Sequence, residues 1–99
     1  MIELNQENFQ EFINSEEKVI VDFYGVKCSG CETLLPFLEQ AASHHPTRIA
    51  KIKVNDFMEL AMEYNIRQIP TMLVFQNQKQ IAKRIGSVKN VAVILEMIS

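Results

Sequence analysis

Residues Val19 to Cys31, VIVDFYGVKCSGC, constrain this chain more than any other stretch. Val19, Ile20, Val21, Phe23 and Tyr24 form a run with no polar alternation, which fits a central strand covered on both faces. Asp22 interrupts the run. A carboxylate there is costly to bury unless it is paired or neutralised, so its presence asks for a reason. A short turn follows, and then Cys28 and Cys31, three positions apart. With a helix beginning at Cys28, both thiols fall in its first turn, on neighbouring positions of one face. The free N–H groups and partial positive charge of a helix start favour a thiolate over a thiol. The exposed member of such a pair becomes nucleophilic near neutral pH.

The rest of the chain supplies elements around this stretch. Ile2–Leu4 is predicted as a short edge strand, and Asn5 as the N-cap of a first helix with Phe9, Phe12 and Ile13 on its apolar face. The second helix is predicted from about Cys28 to Ser43, with Leu34, Leu35, Phe37, Leu38, Ala41 and Ala42 on its buried side. Pro36 inside it removes a backbone donor and predicts a kink. Arg48–Val54 alternates as a strand does, with Ile49, Ile52 and Val54 as core contacts. A short helix covers about Asp56–Tyr64, placing Leu60 and Ala61 near the core. Thr71–Phe75 and Lys79–Ile85 form a hairpin about the turn Gln76–Gln78. Gly86 precedes a final helix, about Lys89–Ile98, packing through Val91, Ile94, Leu95 and Ile98. Strands joined through helices favour parallel pairing, and a hairpin must be antiparallel. The expected architecture is therefore α/β, in the order β-α-β-α-β-α-β-β-α, with a mixed central sheet and helices on both faces.

A chain of 99 residues is enough for a single domain, residues 1–99, and 47% hydrophobic residues favour a packed core over disorder. A net charge of −2 offers nothing to draw nucleic acid or an anionic membrane. No apolar run approaches the length of a membrane span. The opening MIELNQENFQEF has neither the basic nor the apolar region of a signal peptide, so the expected compartment is the cytosol. There, a close C-x-x-C pair serves catalysis or metal binding more often than stapling. Zinc would need further ligands. His44 and His45 lie at the far end of the same helix, about 20 Å from the cysteines at 1.5 Å per residue, so no metal site closes within one chain. A metal shared between two chains stays open. The methionines Met58, Met62, Met72 and Met97 read as core or half-buried filler before an adaptable binding face.

With that element order, VDFY before K-C-S-G-C, Pro36 five residues after the second cysteine, and Y-N-I-R-Q-I-P-T further on, the chain resembles the thioredoxin family over nearly its whole length. The resemblance implies a thioredoxin fold and a thiol–disulfide oxidoreductase that needs no bound cofactor. Cys28 would attack and Cys31 resolve. Pro70 would be a cis-proline facing the disulfide, with Ile69 and Thr71 beside it and Gly86 nearby where a substrate strand docks. Asp22 would relay a proton behind Cys31, with Lys51 accompanying it; the plainer reading of Asp22 is a carboxylate satisfied by Lys51 and water. Substrates would be protein disulfides or small thiol disulfides, an external reductase or low-molecular-weight thiol would reload the pair, and the expected state is a monomer.

The family's usual motif is W-C-G-P-C, and here Lys27, Ser29 and Gly30 stand in and beside it. Lys27 removes a flat apolar docking surface and adds a cation, unless it is simply a solvated lysine. Gly30 adds a backbone N–H near the sulfurs. Both favour the thiolate, hence the reduced form, hence a more oxidising pair. Gln78 stands where the family's hairpin turn often carries glycine. Two alternatives stay open: a specialised partner-specific thiol or persulfide carrier, and a redox-gated protein-binding module. A binding module would keep its function with both cysteines replaced by serine.

Overall fold

The structure, a computed structural model, describes residues 1–99. Nine elements follow one another: β1 (Ile2–Glu3), α1 (Phe9–Ile13), β2 (Val19–Tyr24), α2 (Ser29–His44), β3 (Ile49–Lys53), α3 (Met58–Glu63), β4 (Thr71–Gln76), β5 (Lys79–Ile85) and α4 (Val91–Met97). The strands form one sheet in the order β1-β3-β2-β4-β5. β3 runs parallel to both β1 and β2. β4 runs antiparallel to β2, and β5 antiparallel to β4. The unalternating run of β2 has the expected consequence: Val19 to Phe23 are all buried, and the strand lies at the centre of the sheet.

Each face of the sheet carries its own core. Val19, Val21 and Phe23 point to one side, where they meet Phe9 and Ile13 of α1, Leu60 of α3, and Leu73 and Phe75 of β4. Ile20 points to the other, against Leu34, Leu38, Ala41 and Ala42 of α2 and Ile94 of α4. Period-two side-chain direction makes this division, and it puts Asp22 on the α2 side with Ile20.

Several expectations need correction. The first helix starts at Phe9, so Asn8 stands at its N-cap position, but the Asn8 side chain makes no capping hydrogen bond to it. Asn5 caps the preceding turn instead: its Oδ1 accepts from the N–H groups of Glu7 and Asn8, while its own N–H donates to Asn8 Oδ1. This reciprocal pair is the capping pattern expected of Asn5, set one turn ahead of the helix proper, and Phe9 N–H donates to Asn5 O at 3.2 Å. Helix α2 begins at Ser29 with Cys28 as its N-cap, and it runs through Pro36 to His44. Leu35 and Phe37 are only half-buried, flanking the stripe of Leu34, Leu38 and Ala41. Helix α4 starts at Val91, because Asn90 caps it through Ala92 N–H. Met72 is buried and Met97 half-buried, but Met58 and Met62 are 65% and 74% exposed on α3, so they are not core filler. Strand β5 is exposed along its whole length, so the helices cover only the sheet inboard of it. Its Lys79, Lys83 and Arg84 suit an edge strand, since charge there discourages pairing with another chain.

Candidate active site

Strand β2 ends at Tyr24, and the chain turns through Gly25, Val26 and Lys27 into α2. The turn is held by Val26 N–H donating to Asn55 Oδ1 at 3.1 Å. Lys27 takes a left-handed backbone, φ 52°, unusual for a side-chain-bearing residue. Cys28 returns to an extended conformation, and its Sγ accepts from Cys31 N–H at 3.1 Å. The N–H that reaches the sulfur is thus that of Cys31. The two cysteines are joined in a disulfide with Cα atoms 5.2 Å apart. Cys31 is 7% exposed, while Cys28 is more open. A thiolate formed at Cys28 would sit on free helix-start N–H groups.

The loop before β4 closes over this pair. The Ile69–Pro70 peptide is cis, and Pro70 is buried against Gly30. A Cβ added at Gly30 would lie 3.1 Å from Pro70 Cδ, tighter than ordinary contact, so a small residue between the cysteines suits this approach. Thr71 fixes the loop by donating from its hydroxyl to Gln68 O at 2.7 Å. Gly86 N–H donates to Pro70 O at 2.8 Å, which brings the end of β5 beside the loop. Gly86 needs its residue type for backbone reasons, with φ at 95°, and the space where its side chain would stand is empty. Lys27 and Ser29 are exposed at the rim.

Behind the cysteines lies a pocket of about 190 Å³ lined by Asp22, Tyr24, Gly25, Cys31, Glu32, Leu35 and Lys51. It joins the buried carboxylate to the buried cysteine. Asp22 is 2% exposed, and its Oδ1 has no hydrogen-bond partner. Burial raises its pKa to about 7, with Lys51 opposing the rise and Glu3 adding to it. The carboxyl is therefore balanced between acid and base near neutrality. The pairing of Asp22 with Lys51 suggested by the plainer reading does not form: the ion pair of Lys51 is with Glu3, Nζ to Oε1 at 3.7 Å. Tyr24 donates from its hydroxyl to Glu3 Oε2 at 2.8 Å, and Lys51 Nζ lies 5.1 Å from the centre of the Tyr24 ring. Sequence reasoning missed Glu3 and Tyr24 as parts of this region. Only the pairing of β1 and β2 on either side of β3 brings them to it.

The thioredoxin family profile matches residues 1–99. Thioredoxin of Buchnera aphidicola is 34% identical over 91 residues, covering 89% of this chain and 84% of that one. Thioredoxin of Mycoplasmoides gallisepticum is 36% identical over 83 residues, covering 83% of each. Among solved structures, oxidised mitochondrial thioredoxin 3 of Saccharomyces cerevisiae superposes with a TM-score of 0.83 at 26% identity, over 99% of this chain and 92% of that one. Thioredoxin of Plasmodium falciparum gives 0.86 at 25%, over 99% and 96%. A dithiol pair at a helix start, held in the fold and sequence of these relatives, means that the chain belongs to the thioredoxin family and is a thiol–disulfide oxidoreductase.

Proposed function

We propose that the protein reduces disulfides in other proteins through Cys28 and Cys31, in the cytosol and as a monomer of one domain. The observation that carries this is the pocket linking an unpartnered Asp22 to Cys31, directly behind the more open Cys28. The Cys28 thiolate attacks one sulfur of the substrate disulfide; the other sulfur leaves as a thiolate and takes a proton from solvent. A mixed disulfide now joins Cys28 to the substrate. Cys31 gives its proton to the Asp22 carboxylate, and the new thiolate attacks Cys28 Sγ. The second substrate sulfur leaves, and the Cys28–Cys31 disulfide forms. Two electrons have passed to the substrate, and a two-electron donor, an external reductase or a low-molecular-weight thiol, restores the dithiol. Lys51 is a bystander cation to this proton transfer, close enough to modulate it.

Ile69, Pro70 and Thr71 would present backbone to an extended substrate segment, with the open side of Gly86 completing the groove. The Lys27 cation would make the pair more oxidising than one carrying tryptophan in its place, whereas the N–H that reaches Cys28 Sγ is that of Cys31 and not of Gly30; Ser29 lies exposed between the cysteines. A redox titration against glutathione checks this: a potential at or below that of ordinary thioredoxin refutes it. The reductase reading itself is tested by Cys31→Ser. That variant is expected to accumulate stable mixed disulfides between Cys28 and protein substrates, and Cys28→Ser to form none. Function surviving replacement of both cysteines would instead mark a binding module.

A further inference from the structure

Glu3, Lys51 and Asp22 stand side by side across three strands, because Lys51 of β3 is in register with Glu3 of β1 on one side and Asp22 of β2 on the other. Residues directly opposite one another in parallel strands point to the same face, so the three side chains form one row of carboxylate, ammonium and carboxylate on the α2 side. The ammonium could serve either carboxylate. It lies 3.7 Å from Glu3 Oε1 and makes no ion pair with Asp22, whose Oδ1 is left without any partner. Tyr24, two residues along β2 from Asp22 on the same face, explains the asymmetry. Its hydroxyl donates to Glu3 Oε2 at 2.8 Å, and its ring lies under the Lys51 ammonium. Both contacts hold the cation at the β1 end of the row.

We propose that Glu3 is a positioning residue for the proton acceptor: anchored by Tyr24, it draws Lys51 away from Asp22 and so keeps the buried carboxylate unpaired beside Cys31. The proposal rests on Asp22 taking the Cys31 proton as set out above. A carboxylate bound to an ammonium is a poor base, whereas an unpaired buried one binds a proton readily at neutral pH. The charged and titratable groups around Asp22 are few. Lys51 comes from β3, Glu3 from β1, Tyr24 from β2, and Cys31 and Glu32 from α2. On β4, Asp22 is opposite Met72, which carries no charge. Of these groups, Lys51, a point charge on a flexible four-carbon stem, is the one that a neighbour can redirect. The Tyr24 phenol is held well above its ordinary range by burial first and the Glu3 hydrogen bond second, so it remains a donor to Glu3 throughout the neutral range.

The test is the titration of Asp22, followed by carboxyl-carbon NMR in the oxidised protein, where no substrate or turnover is involved. Glu3→Gln frees Lys51 to move toward Asp22 and is expected to lower the midpoint of that titration by about one pH unit, the effect of bringing an opposite charge close. Tyr24→Phe keeps the ring but drops the anchor and should shift the midpoint the same way, by less. Glu3 also raises the Asp22 midpoint through its own charge, so in a Lys51→Met background the shift caused by Glu3→Gln should shrink to that direct part rather than keep its full size. In the reduced protein, the pH profile of mixed-disulfide release should move with the NMR midpoint. An unmoved midpoint in Glu3→Gln overturns the proposal, and so does an equal shift with Lys51→Met present. A shifted NMR midpoint with no change in the release profile would leave the row intact and remove Asp22 from the release step, so the two readings fail separately.

Discussion

Asp22 pays for its position in stability. Burial raises its pKa from 3.8 to about 7, so the folded protein binds a proton there that the unfolded chain has already lost. The sign follows from linkage: where the native state holds more protons, stability falls as pH rises. The loss begins above the unfolded value near 4 and is complete once pH passes the folded value near 7. Its size is at most about 4 kcal/mol at alkaline pH, from the free energy of roughly 1.4 kcal/mol per pH unit. Asp22→Asn should therefore raise stability by several kcal/mol at pH 8 and by little at pH 4, read from denaturant midpoints at both. The same variant should slow release of the mixed disulfide more than the first attack by Cys28. Equal slowing of both steps, or equal stability gain at both pH values, would contradict the role given to this carboxyl. The role proposed for Asp22 would thus carry a stability cost, as unpaired groups at active sites commonly do. The sequence pointed to Asp22 through the break it makes in an apolar run. It could not point to Glu3, one of three acids in the opening segment with Glu7 and Glu11, whose partner is 48 positions away.

Among the elements, the β4–β5 hairpin stores strain of a different kind. Asn77 and Gln78 link the strands in left-handed conformations, φ 53° and 68°, as a two-residue hairpin turn that follows the sheet twist requires. Asparagine accepts such a backbone, but Gln78 does so at a cost of about 1 kcal/mol. The turn is held by Asn77 N–H donating to Ser15 O at 2.7 Å and Gln78 N–H donating to Ile13 O at 3.0 Å. These bonds use the main chain, so Gln78→Gly would keep them while removing the steric penalty. The expected gain is about 0.5 to 1 kcal/mol, reduced somewhat by the entropy glycine adds to the unfolded chain, and visible as a higher thermal midpoint. The hairpin itself was legible in the sequence from two β-rich runs with a polar gap. The turn conformation was not, because neither residue is glycine and the docking to Ile13 and Ser15 is a tertiary contact.

Across the whole molecule, Arg48 ties distant parts of the chain together. It stands just before β3, with its side chain 16% exposed. Its guanidinium donates to Lys18 O at 2.9 Å, at the entry of β2, and to Ile98 O at the end of α4. Lys18 adds a second tie from Nζ to Ser99 O at 3.1 Å. The ion pair of Arg48 with Glu17, at 3.8 Å and with Glu17 69% exposed, adds little, as surface pairs do. Arg48→Ala would leave two carbonyls short of a charged donor, and a loss of about 2 kcal/mol is expected from the denaturant midpoint with an unchanged slope. Arg48→Lys should recover only part of it, because an ammonium lacks the planar fork that reaches both carbonyls. A variant as stable as the parent would show that the α4 end is held by packing of Ile94 and Ile98 alone.

Local chemistry and periodicity determined the inventory of this protein. The apolar run of β2, the cysteines three apart after it, the alternation of β3 and the amphipathic helices are each written within a dozen residues, where side-chain direction follows from the backbone period. The order and type of all nine elements were readable that way, and so was the dithiol. What the tertiary structure decided was adjacency. Placing β2 between β3 and β4, with β4 antiparallel to it, brings Pro70 over Gly30 and lines up Glu3, Lys51 and Asp22. It also leaves β5 uncovered at the sheet edge. Strand order and register are set by the summed packing of both cores, and no stretch of sequence carries that sum by itself.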